Sequence, residues 1–161
     1  MVQLHAVGGN ANTSFGVYLN KSLIEQTGLA NGDSLRVTAV DDEFILVTPE
    51  RMPIQQWIEL YNSATSRQTA DEMTPAELVT LLEVAEGEDG RRPSSVTSLA
   101  PLGDSGHRIL ITNAVARLQL PVGADIQRRV GPDIVVLVPV ERQTESVKQR
   151  IRDVLDTRAS Q

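Results

Sequence analysis

A hairpin-like stretch that occurs twice constrains this fold more than any other feature of the sequence. Residues 29–51 have the pattern turn, strand, tight turn, strand, and residues 120–142 repeat it 91 positions later without a gap. Seven of the 23 aligned positions are identical, and in the first copy they are Leu29, Gly32, Asp42, Leu46, Val47, Glu50 and Arg51. The matched turn positions predict an internal duplication of a β-hairpin.

The first copy carries the residues that a hairpin needs. Asn31 and Gly32 suit a turn because both tolerate positive φ. Residues 34–40 alternate between apolar and polar side chains, and residues 44–47 are a short run of strand formers that Pro49 ends. A single hairpin of this kind cannot bury its apolar face alone, so we expect the two copies to lie together.

Three further elements are expected before the first hairpin. They are a strand at 2–7, a strand at 15–19 after a polar loop, and a helix at about 21–27. Asn20 can cap this helix, and Gly28 suits its C-terminus. The order is therefore strand, loop, strand, short helix and hairpin.

The residues at twelve positions of this order match a known pattern. They are Gly9, Asn10, Gly16, Val17, Leu19, Lys21, Leu23, Gly28, Leu29, Gly32, Asp33 and Pro49. In these residues the first 50 positions resemble the AbrB/MazE/SpoVT family, with a degenerate second copy at about 107–142. The resemblance implies a swapped-hairpin β-barrel made by two copies of the fold. It also implies a DNA-binding transcriptional regulator, or an antitoxin whose C-terminal extension wraps a toxin.

The resemblance also indicates which residues would bind DNA. They are Asn10, Asn12, Lys21 and Arg36, together with Arg128 and Arg129 from the second half. Lys and Arg would meet phosphates, and the Asn side chains would reach phosphates or base edges. The net charge of the chain is −6, and residues 1–50 hold two cations against six carboxylates. DNA is therefore an expected partner that electrostatics disfavour.

Helical periodicity replaces the strand pattern after the first hairpin. Apolar side chains at 54, 57, 58 and 61 share one face of a helix. A capping box at 74–77 begins a second helix at 75–86, and its apolar stripe consists of Leu78, Leu81 and Leu82. This acidic amphipathic helix suits the groove of a basic, toxin-like protein, and packing on its own barrel is the alternative.

The sequence divides into two halves and a connection. The second half contains a strand at 107–112, a short helix at 113–118, the repeated hairpin and a last helix at 143–158. We expect a mainly β, α+β chain with an AbrB/MazE-like half at 1–52, a helical acidic connection with a flexible linker at 53–106, and a second half with a C-terminal helix at 107–161. The barrel either closes within one chain as a pseudo-dimer or forms a homo-oligomer through residues 1–50.

Residues that could carry chemistry are sparse. The chain has no cysteine, and its two histidines, His5 and His107, have no carboxylate pair at metal-ligand spacing. They could flank a site, but partly exposed strand histidines are the favoured interpretation. The acidic residues 41–43 are interpreted as a solvated hairpin tip. We therefore expect neither an enzyme nor a cofactor or metal site.

The expected setting is the cytoplasm, without a membrane partner. The sequence has no apolar run of about eighteen residues and no signal-peptide pattern. A DNA-binding regulator or antitoxin is the function that the resemblance implies. The alternative is a protein-binding or scaffold module that keeps the barrel and has lost DNA binding, which the acidic first half favours.

Overall fold

The computed structural model of this chain describes residues 2–7, 14–65, 94–102 and 106–161. The strands are β1 (Val2–Gln3), β2 (His5–Val7), β3 (Ser14–Asn20), β4 (Ser34–Val40), β5 (Phe44–Pro49), β6 (Ser94–Ser98), β7 (Ala100–Leu102), β8 (Gly106–Leu110), β9 (Asp125–Gly131) and β10 (Ile134–Pro139). The helices are α1 (Lys21–Thr27), α2 (Ile54–Ala64), α3 (Thr112–Leu118) and α4 (Glu145–Ser160), with a 3-10 turn at Val140–Arg142. None of these helices is long and apolar enough to cross a membrane.

All of these strands belong to two antiparallel sheets. The six-stranded sheet has the order β1-β9-β10-β5-β4-β6 and curls into a half-barrel, and the four-stranded sheet has the order β2-β3-β8-β7. The predicted α+β class is confirmed. Both strand orders are symmetric about their central pair. In the six-stranded sheet β5 matches β10, β4 matches β9 and β1 matches β6; in the four-stranded sheet β3 matches β8 and β2 matches β7. The duplication of the sequence stays a prediction.

The centre of the six-stranded sheet is the pairing of β5 with β10. Leu46 lies opposite Val136, and the flanking pairs are spaced evenly on either side. Each of these two strands also pairs with the first strand of its own hairpin, β4 or β9. The two predicted hairpins therefore lie back to back in one sheet.

The two sheets are joined at two corners, where a strand passes from one sheet into the other. Leu4 lies between β1 and β2, Leu99 lies between β6 and β7, and both side chains are buried. The backbone bonds that hold the corners are Leu4 N–H to Ala124 O (2.9 Å) and Gly123 N–H to Leu4 O (2.9 Å), and Leu99 N–H to Asp33 O (3.0 Å) and Gly32 N–H to Leu99 O (2.8 Å). The segment predicted as one strand at 2–7 is thus two strands in different sheets.

The turns of the two hairpins differ in length, which corrects the ungapped alignment. Three residues separate the paired residues Val40 and Phe44, whereas two separate Gly131 from Ile134. A shift of 91 therefore relates β4 to β9, and a shift of 90 relates β5 to β10. The correction matters because side chains alternate between the two faces of a strand, so a slip of one residue exchanges the faces.

Both faces of the six-stranded sheet are covered. Its inner face packs on the four-stranded sheet around Ile45 and Val135. Its outer face packs on α2 and α4 around Phe44, Trp57 and Val154. Every side chain of β5 and β10 is buried as a result, which explains why these strands are continuous apolar runs.

The helices begin and end at the expected signals. Asn20 Oδ1 accepts a hydrogen bond from Leu23 N–H at 2.9 Å, and Thr144 Oγ1 accepts one from Val147 N–H at 3.2 Å. The first helix ends at Gly28, whose φ of 76° lies in the left-handed region that favours glycine. The helix predicted before the first hairpin is confirmed with both of its caps.

Two strands lie inside the segment 53–106, which the sequence predicted to be a helical connection. They are β6, which pairs with β4, and β7, which pairs with β8. Their sequences lack a clear apolar alternation, and Pro101 is tolerated because β7 is an edge strand. β6 takes its conformation from pairing with β4 of the first half, whereas β7 forms a hairpin with the neighbouring β8.

The acidic tip of the first hairpin is solvated only in part: Asp42 is exposed, as predicted, whereas Asp41 is not. The Asp41 side chain is only 8% exposed and accepts a hydrogen bond from Arg150 Nη1 at 3.0 Å, and Arg150 Nη2 lies 2.6 Å from Glu43 Oε1. The same guanidinium donates to Ala64 O at 3.2 Å. Arg150 on α4 thereby joins the hairpin tip to the end of α2. The Asp41 side chain is shielded from solvent because α4, more than 100 residues later, packs against the tip.

We predict that Arg150→Met destabilises the fold by about 3 kcal/mol, because it removes the guanidinium that pairs with the nearly inaccessible Asp41 carboxylate. Urea unfolding followed by circular dichroism measures this change. The matched control is Arg152→Met on the exposed side of the same helix, which should change stability by less than about 0.5 kcal/mol. Equal small losses in both variants would contradict a stabilising role for the Arg150 contacts.

A second group of charges links the turns of the two hairpins. Arg51 donates to Asp33 Oδ2 and to Asp133 Oδ1, both at 3.1 Å. The Ala30 N–H also donates to Asp33, at 2.9 Å. This backbone bond is the main cause that lowers the pKa of Asp33 below its ordinary value of 3.8; burial opposes it and Arg51 adds to it. The folded state therefore favours the ionised Asp33 carboxylate.

We expect Asp33→Asn to remove a stabilisation that depends on pH. Because the pKa is lower in the folded than in the unfolded chain, the contribution of Asp33 is complete above the unfolded value and is lost as the pH falls through the folded value. The stability difference between wild type and Asp33→Asn should be present at pH 7 and shrink below about pH 4. Urea titrations between pH 7 and pH 3 test this, and a constant difference would disprove it.

Candidate functional site

The outer face of the four-stranded sheet is the candidate site. Val17, Leu19 and Ile109 on β3 and β8 point into the core and are fully buried, so their neighbours along each strand point outward. The outward positions form two rows across the strands, which we call the His5 row (His5, Gly16 and Leu110) and the Tyr18 row (Tyr18, Arg108 and Ala100). Both rows are partly exposed apart from the buried Gly16.

Two glycines shape this face. A methyl group at Gly16 would lie 3.2 Å from the Arg108 side chain and 3.3 Å from His5 Nε2, so the stem of Arg108 lies across this glycine. A methyl group at Gly106 would overlap the Tyr18 ring, so that ring lies across the second glycine. Tyr18 and Arg108 are therefore held flat on the sheet, on opposite sides of their shared row.

Two guanidinium groups approach Tyr18. Arg108 lies directly opposite Tyr18 on β8. Arg128 on β9 donates from Nη1 to Tyr18 O at 2.8 Å. The Nε atoms of Arg108 and Arg128 are buried and have no hydrogen-bond partner among the described residues. Buried guanidinium nitrogens without partners are costly, which marks this region as one where an acceptor would stabilise the side chains.

The described strands of this sheet contain no Asp or Glu. The sequence supplies the reason, because residues 1–24 and 105–124 are free of carboxylates in a chain that carries 21 of them. The same stretches hold Lys21, Arg108 and both histidines. The face is therefore neutral to positive although the whole chain is negative.

Several arginines elsewhere in the described part of the chain are held by intramolecular contacts. Their partners are hairpin-turn carboxylates and backbone carbonyls, and the clearest examples are Arg51, Arg117, Arg142, Arg150 and Arg158. These side chains link segments that lie far apart in the sequence. Their charge is largely neutralised inside the fold, and this leaves the outer face of the four-stranded sheet with the better placed cations.

The structure brings together two of the residues predicted to bind DNA. Lys21 begins α1 immediately after Asn20, which pairs with Gly106 at the end of the outer face, and it lies 4.0 Å from Glu25 in an exposed pair. Arg128 lies against Tyr18, as described above. Lys21 is therefore next to the Tyr18 end of this face, and Arg128 reaches the Tyr18 backbone from β9, on the inner side of the six-stranded sheet that Ile126 and Val130 share.

Two other predicted residues lie elsewhere. Arg36 lies on the helix-covered side of the six-stranded sheet, with its guanidinium 5.5 Å from the centre of the Trp57 ring. Arg129 lines a groove against α4 together with Lys148. Arg128 and Arg129 are neighbours on one strand and so point to opposite faces. The remaining predicted residues, namely Asn10, Asn12, Leu78, Leu81 and Leu82, lie outside the described residues.

Sequence reasoning missed Arg108 and Tyr18. The two histidines are partly exposed strand residues, as predicted; His5 lies on the outer face, and His107 Nδ1 lies 2.7 Å from Asn31 Oδ1 of a turn. A usable signal was present: Arg108 is one of few charges in a long stretch without carboxylates. Comparison of the chain with protein-family models, curated proteins and solved structures gave no match.

We predict that the two glycines of the outer face differ sharply in their tolerance of alanine. Gly106→Ala should destabilise the fold by about 1–3 kcal/mol, because the added methyl meets the Tyr18 ring and the Leu102 carbonyl oxygen at 2.7 Å, which belongs to the backbone. Gly16→Ala is the matched control, because the flexible Arg108 stem can yield there. Thermal unfolding of both variants measures the difference, and equal destabilisation would contradict this description of the face.

Proposed function

We propose that this protein is a DNA-binding regulator that contacts duplex DNA through the outer face of its four-stranded sheet. The observation that carries the proposal is that the described strands around Arg108 hold no carboxylate in a chain of net charge −6, with Lys21 beside them at the start of α1. Phosphate oxygens are acceptors that suit these guanidinium and ammonium groups. Tyr18 and His5 add side chains that can donate or accept hydrogen bonds beside them.

We further propose that the architecture is of the AbrB/MazE/SpoVT kind, with both halves of the barrel in one chain. The sequence repeat supports this, and so does the backbone conformation at corresponding turn positions. Gly32 and Gly123 have φ values of 89° and 88°, and Asp42 and Asp133 have values of 55° and 56°. The equal hydrogen bonds at the two sheet corners point the same way. A single chain would then provide what two chains provide in a homodimer.

A basic, toxin-like protein partner is the second candidate, and a different surface favours it. Glu59 on α2 and Asp156 on α4 line an open groove of about 390 Å³ together with Thr157, Ser160 and Gln161. This groove lies on the helical side of the molecule, away from the four-stranded sheet. An antitoxin could use both surfaces at once, with DNA on one side and protein on the other.

The test of DNA binding compares two arginine variants. Fluorescence anisotropy with a labelled mixed-sequence duplex measures affinity at several low salt concentrations. We expect Arg108→Ala to weaken binding and to reduce the slope of log affinity against log salt by about 0.9, the effect of losing one phosphate contact. The matched control, Arg152→Ala on the exposed side of α4, should leave the slope unchanged.

Two outcomes would contradict the proposal. No binding of the wild-type protein to any duplex at low salt would remove DNA as the partner. Equal losses of affinity in Arg108→Ala and Arg152→Ala would indicate an unspecific charge effect without a defined face. A protein that binds no DNA but co-purifies with one basic partner, through Glu59 and Asp156, would favour the second candidate.

A further inference from the structure

The strand pairing relates the two rows of the outer face to each other. In the His5 row, Gly16 lies between His5 and Leu110. In the Tyr18 row, Arg108 lies between Ala100 and Tyr18 in the same way. If the two halves of the chain are superposed, each row therefore falls on the other. Gly16 then corresponds to Arg108, Tyr18 to Leu110, and His5 to Ala100.

Extended to β3, the ungapped shift of 91 would match Leu19 with Leu110, and the strand pairing shows that this match is off by one residue. Leu19 is buried, whereas Leu110 is partly exposed and Ile111 is the buried residue that follows it. The shift from β3 to β8 is therefore 92, and it places fully buried Val17 on fully buried Ile109. With this register, inward positions of the two halves match inward positions, and the outer face can be compared position by position.

The corresponding positions differ in chemistry. The Tyr18 row holds a guanidinium and a phenol, while the His5 row holds a glycine and a leucine at the corresponding places. Arg128, which supports the Tyr18 row, corresponds to the buried Val37. Lys21 at the start of α1 corresponds to Thr112 at the start of α3, whose hydroxyl accepts a hydrogen bond from Phe15 N–H.

The cations of the face therefore collect in one of its two halves. Arg108 and Lys21 lie on the side of the Tyr18 row. Histidine occurs on the face only in the other row, at His5. Two identical chains paired as a homodimer would have to show the same side chains in both halves, whereas one chain with two diverged halves is free of that constraint.

Resting on the proposed function, we infer that the DNA target is not palindromic and that one chain occupies it in a single orientation. Phosphate contacts come from the Tyr18 half, where the cations are. The His5 half meets the adjacent duplex with an apolar and histidine surface, and it contributes shape and base-edge contacts more than charge. Because the two halves present different side chains, a palindrome would place identical half-sites against unlike surfaces.

Selection from a randomised duplex library tests this inference with the wild-type chain. We expect the retained duplexes to share a non-palindromic site, and light scattering of the complex to give one chain per duplex. An inverted repeat bound by two chains would overturn the inference and leave the proposed function standing. Retention of no duplex would instead remove the proposed function, and the inference with it, so the two failures are distinguishable.

Orientation is tested with a chemical nuclease attached to single cysteines, because the chain has none of its own. Ala6→Cys and Pro101→Cys are matched sites: both residues are exposed, and they occupy corresponding positions on β2 and β7. On the selected site, an iron chelate at either position should cut one flank only, and the two variants should cut opposite flanks. Cutting of both flanks by each variant would show that orientation is not fixed and would overturn the inference.

Discussion

The rest of the structure depends on the antiparallel pairing of β5 with β10. These strands lie at the centre of the six-stranded sheet, and every one of their side chains is buried because both faces of the sheet are covered. Burial of apolar surface is the main favourable term in folding, so this central pair sets where everything else packs. The four-stranded sheet closes one face, and α2 and α4 close the other.

The two-sided sheet also separates the charges of the molecule. The hairpin turns carry carboxylates, and the helices on the outer face bring arginines against them, as Arg150 does at Asp41 and Arg158 at Asp133. These pairs hold distant segments together and neutralise each other. The four-stranded sheet is built from stretches without carboxylates, so Arg108 has no acidic neighbour among its strands. A negative chain can in this way keep one surface suited to an anion.

The candidate site was predictable in part, and Arg36 and Arg128 show how cations on corresponding strands come to lie on different sides of the sheet. Both looked like cations on hairpin strands, yet one stacks on Trp57 beneath a helix and the other supports Tyr18. Under the shift of 91 that relates β4 to β9, Arg36 corresponds to Gln127, the neighbour of Arg128. Neighbours on a strand point to opposite faces, so Arg36 and Arg128 face opposite sides of the sheet. The burial of Asp41 was missed for a related reason, since its partner Arg150 is 109 residues away.

The sequence by itself determined the two hairpins, the capped helix at 21–27, the α+β class and the stretches free of carboxylates. Each of these follows from local signals: turn residues, apolar periodicity, caps and composition. Only the tertiary structure decided the strands at 94–102, the burial of the Asp41 side chain, and which cations share a surface. The burial of Asp41 depends on Arg150, 109 residues away, and β6 depends on pairing with β4 in the first half. A one-residue difference in turn length is enough to exchange the faces of a strand, and local pattern does not record it.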